Sequence, residues 1–158
     1  MSPVRELLNI LDRRGMRLSL AESCTGGLIG SMITEIPGSS SCFLGSAVTY
    51  SNEAKERLLG VRHETLLAFG AVSPQTAEEM AMGSMRAYGS DVAASVTGIA
   101  GPGGAVEGKP VGTVCVCITD GKDKITVTHH FDGDRRSVRQ QTAESVIDGL
   151  CDFIEGRE

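Results

Sequence analysis

Tryptophan is absent from this 158-residue chain, aromatic residues make up only 4 % of it, and there are just three histidines. A core without large rings must be assembled from Ala, Val, Leu, Ile and Met. Histidine chemistry has little to draw on: His63 sits in a charged helical stretch, while His129 and His130 are adjacent on a predicted strand and face opposite sides. No run of about 18 apolar residues occurs, which excludes a membrane-spanning helix. Net charge is −5 and no block of Lys or Arg stands out, so a nucleic-acid surface is not expected and any anionic ligand needs a local basic site. Five cysteines are an odd count and too few for a disulfide scaffold. The opening stretch MSPVRELLNILDRRG lacks the apolar core of a secretory signal, and together these features point to a reducing cytoplasm.

What the chain has in abundance is glycine, 20 residues of it, between strongly periodic segments. Its length suits one domain, residues 1–158, burying roughly 70 % of its unfolded surface. Val4, Leu7, Leu8 and Leu11 repeat at helical spacing behind Ser2 as cap and Pro3 at the first turn, and Gly15 ends the pattern. Met16, Leu18 and Leu20 alternate as a strand, and TGGLIGSMITEI reads as a helix entered through Thr25. FLGSAVTY is a second strand ending at Tyr50, followed by a short helix carrying Lys55 and another around HETLLAFG. Ser73 and Pro74 open a long helix, and DVAASVTG is a strand that runs into the loop GIAGPGGAVEGKP. VGTVCVCIT and ITVTHHF flank DGKDK as a hairpin, and SVRQQTAESVIDGLCDFI closes the chain as a helix. The order αβαβααβββα predicts an α/β fold: a three-layer α/β/α sandwich on a mixed, mostly parallel sheet of about five strands.

In such a sheet, ligands bind beyond the carboxyl ends of the parallel strands. Ser23, the segment from Tyr50 to Lys55, and the segment from Thr97 to Gly104 all leave strand ends. Ser23 and Thr25 precede a helical run, where such residues ordinarily cap orphan N–H groups. However, Gly26 and Gly27 are poor helix formers, and a pair of them there indicates close approach to the backbone, either as an oxyanion hole or as an anion cradle. Lys55 is the base available by position if burial keeps it neutral. Gly103, Gly108 and Lys109 meet the spacing of a phosphate-binding loop, but Pro110 stands where Ser or Thr would hold magnesium, which excludes a nucleoside triphosphatase. Cys115 and Cys117 share one face of a strand and read as buried apolar residues, so no metal site is expected. Arg135 and Arg139 lie one helical turn apart behind Asp132 or Asp134, on a solvated face or facing a phosphate.

The blocks AESCTGG, VTYSNEAK, GAVS, TGIAGPGG, KPVGTV and GDR..VR.Q, taken in order, resemble the CinA C-terminal domain family in its nicotinamide-nucleotide amidase branch, from about residue 5 to 153. The resemblance implies a three-layer α/β/α serine amidohydrolase that converts nicotinamide mononucleotide to nicotinate mononucleotide and ammonia, without a cofactor and as a homo-oligomer. It implies Ser23 as nucleophile, Lys55 as base and Tyr50 hydrogen-bonded within that dyad. Substrate contacts fall on Thr25, Gly26, Gly27, Asn52, Thr97, Gly98, Gly101 and Arg135, with the amides of Thr25 to Gly27 as oxyanion donors. Many relatives carry in addition a larger N-terminal domain resembling a molybdopterin-binding fold. The competing readings are a catalytically silent nucleotide-binding or scaffold module and an amidase for another small amide.

Overall fold

The structure, a computed structural model, describes residues 1–156. Among the described residues six α-helices and five strands follow in the order α1 (Pro3–Arg14), β1 (Leu18–Glu22), α2 (Leu28–Thr34), β2 (Phe43–Val48), α3 (Asn52–Leu59), α4 (His63–Phe69), α5 (Pro74–Tyr88), β3 (Val92–Gly98), β4 (Thr113–Thr119), β5 (Lys124–His130) and α6 (Arg135–Glu155), with a single 3-10 turn at Ser39–Ser41 before β2. The caps follow from local chemistry: the hydroxyls of Ser2, Ser51 and Ser73 and the carboxylate of Asp134 accept from amides three residues on. Gly15 closes α1 in the left-handed conformation.

The sheet order is β2-β1-β3-β4-β5. β1 pairs in parallel with β2 and β3, whereas β4 runs antiparallel to both β3 and β5, so four of the five strands point the same way. The helical crossovers enforce the parallel neighbours, and the tight Asp120–Asp123 turn reverses β4 into β5, its Asp120 carboxylate accepting the amides of Lys122 and Asp123.

Alternation along the strands divides the core. Leu18, Leu20, Val92, Ala94, Val96, Val114, Val116 and Ile118 face α1, α2 and α6. Ala21 faces the opposite layer with Leu59 and Met80, and Cys115 and Cys117 lie buried against Ala77 and Ala81 of α5. α3 can settle on α5 because of Gly83, where a β-carbon would overlap the Leu59 carbonyl. That close approach brings Lys55 within reach of the sheet. Among the described residues no helix is long and apolar enough to cross a membrane.

Candidate active site

β1 ends at Glu22, and the chain then turns sharply. The Ser23 amide is still tied to the Val96 carbonyl of the neighbouring strand, so the serine sits at the carboxyl end of two parallel strands. Its hydroxyl is met by the Lys55 side-chain nitrogen at 3.0 Å, and the same nitrogen donates to the Thr49 carbonyl at 2.9 Å. Both groups are shielded, Ser23 being 7 % and Lys55 1 % exposed. Lys55 finds no carboxylate partner among the described residues, and burial holds its amine below the ordinary 10.5, the Cys24 thiol opposing this only in part. A buried lysine without a counter-ion favours the neutral form, and neutral amine is the form able to take a proton from a hydroxyl. Next in line, the Cys24 thiol is pushed by burial up to about 11, which leaves Ser23 without a competing thiolate at neutral pH.

Thr25 is not the cap of α2, and α2 does not begin there. Gly26 and Gly27 take φ of 58° and 103°, which only glycine adopts readily, and the helix starts at Leu28. The group that satisfies its first turn is one the sequence reading missed, the Glu22 side chain. Fully buried, it accepts from the amides of Gly27, Ile29 and Gly30 at 3.2, 3.1 and 3.0 Å, and from the hydroxyls of Thr25 and Ser46 at 2.6 and 2.7 Å. The signal was present: Glu22 continues the Leu18, Leu20 alternation onto the apolar face, where a carboxylate requires donors.

The other expected residues separate into two groups. Tyr50, Gly98, Gly101 and Arg135 line a pocket of about 340 Å³ together with Cys24 and the backbone of the glycine loop. Within it Arg135 donates to the Gly101 carbonyl at 2.8 Å and to the Tyr50 hydroxyl at 3.0 Å. Tyr50 is therefore not hydrogen-bonded within the dyad; it is 63 % exposed and pairs with Arg135, because its ring leaves the end of β2 toward solvent. Arg135 takes no part in lowering the lysine pKa, which burial accounts for. Thr97 does not line the pocket: its position on β3 turns it to the α5 layer, where its hydroxyl donates to the Ala71 carbonyl at 2.8 Å. Asn52 is exposed on the first turn of α3, outside the pocket lining. The amides of Gly26 and Gly27 are not free oxyanion donors, since they serve the Ser23 carbonyl and Glu22. Arg139, read from sequence as solvated or phosphate-facing, instead donates to the carbonyls of Cys24 and Thr25 at 3.2 and 2.8 Å.

A larger cavity of about 490 Å³ opens beside α4 and α5. Its one hydroxyl, Thr65, is engaged in donating to the Glu79 carboxylate at 2.6 Å, and its charged walls pair with one another, Arg62 with Glu79 and Lys124 with Glu78. Chemistry, not size, makes Ser23 the candidate site. Among the described residues no group of three or more His, Cys, Asp or Glu is placed to hold a metal.

The family described as CinA C-terminal domain matches residues 2–154. The chain belongs to this family. A CinA-like protein of Syntrophomonas wolfei is 49 % identical over 140 residues, covering 89 % of the chain and 34 % of the relative, and one of Chlorobaculum tepidum is 48 % identical over 149 residues, covering 91 % and 35 %. The CinA domain described here thus spans about a third of the length of these curated relatives. Among solved structures it is similar to a competence-damaged protein (CinA) superfamily protein of Klebsiella pneumoniae, with a TM-score of 0.94 and 32 % identity over 98 % of this chain and 96 % of that one. A competence/damage inducible protein of Agrobacterium tumefaciens gives 0.88 and 41 % over 95 % and 94 %. The mixed sheet covered by helices on both sides is the fold these CinA neighbours share.

Proposed function

We propose that this CinA domain is a serine amidohydrolase that hydrolyses the carboxamide of nicotinamide mononucleotide to nicotinate mononucleotide and ammonia. The observation that carries the reading is the 3.0 Å contact between a buried serine hydroxyl and a buried lysine whose amine is held toward neutrality. Neutral Lys55 takes the Ser23 proton as the serine oxygen adds to the carboxamide carbon, and returns it to the departing nitrogen as the tetrahedral intermediate collapses. Ammonia leaves, an ester to Ser23 remains, and a water deprotonated by the same amine hydrolyses it. The Thr49 carbonyl, 2.9 Å from the Lys55 nitrogen, fixes the direction of the amine throughout.

The nucleotide half belongs in the neighbouring pocket. There the Arg135 guanidinium, exposed and without a carboxylate partner among the described residues, adjoins the glycine loop, and a phosphate is the group this combination suits. The chemistry calls for no metal or other cofactor, and we place the enzyme in the cytoplasm as a homo-oligomer. Ammonia release from nicotinamide mononucleotide, nicotinamide riboside, nicotinamide and glutamine is the test. Selective turnover of the mononucleotide, lost by more than ~10³-fold in a folded Ser23→Ala protein, is the expected result. Turnover of none of the four would leave the silent nucleotide-binding module, and near-normal turnover by Ser23→Ala would remove the nucleophile assignment.

A further inference from the structure

Arg139 lies on α6, beyond the phosphate pocket, and its side chain makes a two-pronged contact with the turn that follows the serine: Nε meets the Cys24 carbonyl at 3.2 Å and Nη2 the Thr25 carbonyl at 2.8 Å. Among the described residues it forms no ion pair, so its charge is spent on these two peptide groups. In a trans peptide the N–H points opposite to the C=O. The Cys24–Thr25 peptide is trans, so holding the Cys24 carbonyl toward α6 turns the Thr25 amide away from it. α6 covers one face of the sheet, while Lys55 reaches Ser23 from the other. The amide turned away from the arginine is therefore turned toward the side on which the Ser23 hydroxyl meets its lysine. The amides of Ser23, Gly26, Gly27 and Leu28 serve Val96, Ser23, Glu22 and Thr25, and that of Cys24 lies against its own thiol, whereas the Thr25 amide has no acceptor among the described residues.

We infer that Arg139 is a positioning residue: by gripping the carbonyls of Cys24 and Thr25 it aims the Thr25 amide at the oxyanion formed when Ser23 adds to its substrate, and polarises that amide as a donor. The inference rests on the reading of Ser23 as nucleophile. It narrows the oxyanion site from the amides of Thr25, Gly26 and Gly27 to that of Thr25 alone and assigns to α6 a role in stabilising charge that exists only after addition. The glycine pair then serves a different purpose, letting the chain turn tightly enough that both carbonyls face one guanidinium.

The test compares the parent protein with Arg139→Ala, Arg139→Lys and Ser23→Ala. Turnover is measured with nicotinamide mononucleotide, and calorimetric binding with pyridine-3-boronic acid, whose trigonal boron takes the Ser23 oxygen, the hydroxyl proton passing to Lys55 and the negative charge to the boronate. Arg139→Ala should lower kcat roughly 30- to 100-fold, below the full loss of an oxyanion donor, with KM within about threefold and boronate affinity weakened at least about tenfold. Arg139→Lys, which keeps the charge but not the fork, should fall between. Melting temperatures within a few degrees of the parent would accompany both. Unchanged kcat and boronate affinity in Arg139→Ala would overturn the inference. So would a parallel loss of kcat, KM and melting temperature in both variants, which is what a merely structural brace predicts. If the parent hydrolyses no amide yet binds boronate in a manner dependent on both Ser23 and Arg139, the proposed substrate is wrong and the positioning role stands. Dependence on Ser23 alone, with amide hydrolysis intact, refutes the positioning role and leaves the function.

Discussion

Replacing Glu22 with alanine should unfold this domain at a markedly lower temperature although its carboxylate bonds to neither Ser23 nor Lys55. The side chain accepts five hydrogen bonds, three from fixed amides of the α2 entry and two from hydroxyls. The hydroxyls of Thr25 and Ser46 can rotate toward other acceptors; the amides of Gly27, Ile29 and Gly30 cannot. A buried donor left without a partner costs ~1–3 kcal/mol, so three amides set an upper bound near ~9 kcal/mol that fraying of the seven-residue α2 and entry of water will reduce. We expect about 3–5 kcal/mol, the range found when one partner of a buried charged network is removed. For a chain of this size each kcal/mol shifts the midpoint about 2–4 °C, giving a drop of roughly 6–20 °C. Glu22→Gln keeps one acceptor oxygen but sets its amide hydrogens against other donors, and should lose about 2–3 kcal/mol. Thermal unfolding by circular dichroism, checked for two-state behaviour by urea titration, measures both. A Glu22→Ala midpoint within about 2 °C of the parent would refute the view that this carboxylate holds the turn.

Because burial lowers the Lys55 pKa, activity should rise with pH as the neutral amine accumulates, through a midpoint below the ordinary 10.5, and Lys55→Arg should be almost inactive because guanidinium does not deprotonate. The same shift couples to stability: between the folded pKa and the unfolded value the unfolded chain binds the extra proton, so stability rises with pH across that window, and Lys55→Met should stabilise the fold at neutral pH with a gain that fades above it. Arg135→Ala should weaken binding of the mononucleotide by ~1.5–3 kcal/mol and leave the riboside little changed, whereas Tyr50→Phe, which removes only an exposed partner of Arg135, should leave kcat within a few-fold. Equal losses on nucleotide and riboside in Arg135→Ala kinetics would show that the arginine braces the loop and does not read phosphate. The Thr49 hydroxyl is the one buried side-chain polar atom without a partner among the described residues, and Lys55 uses only the backbone carbonyl of Thr49, so Thr49→Val should be neutral or stabilising by up to ~1–2 kcal/mol, read as a raised melting temperature with unchanged kcat.

Short-range chemistry determined much of this molecule from sequence alone. The helices behind Ser2 and Pro3 and behind Ser73 and Pro74, the Gly15 stop, the Asp120–Asp123 hairpin and the alternation that buries Cys115 and Cys117 are each written within a few residues, because caps, turns and periodicity act over one or two turns of backbone. Strand direction followed from connection length, and with it the convergence of three loops at one sheet edge. Side-chain partnership is different, since it depends on reach across elements that meet only in the folded chain. Lys55 and Ser23 are 32 residues apart, Tyr50 and Arg135 85, and Arg139 and Thr25 114. Sequence could place Tyr50 near the dyad but not show that its ring leaves β2 toward Arg135. It could mark Thr25 as a helix cap but not show Glu22 taking that role from beneath the turn. Only the stacking of α3 on Gly83 and of α6 across the opposite face decided that a lysine is buried against the serine while an arginine grips the peptide beyond it.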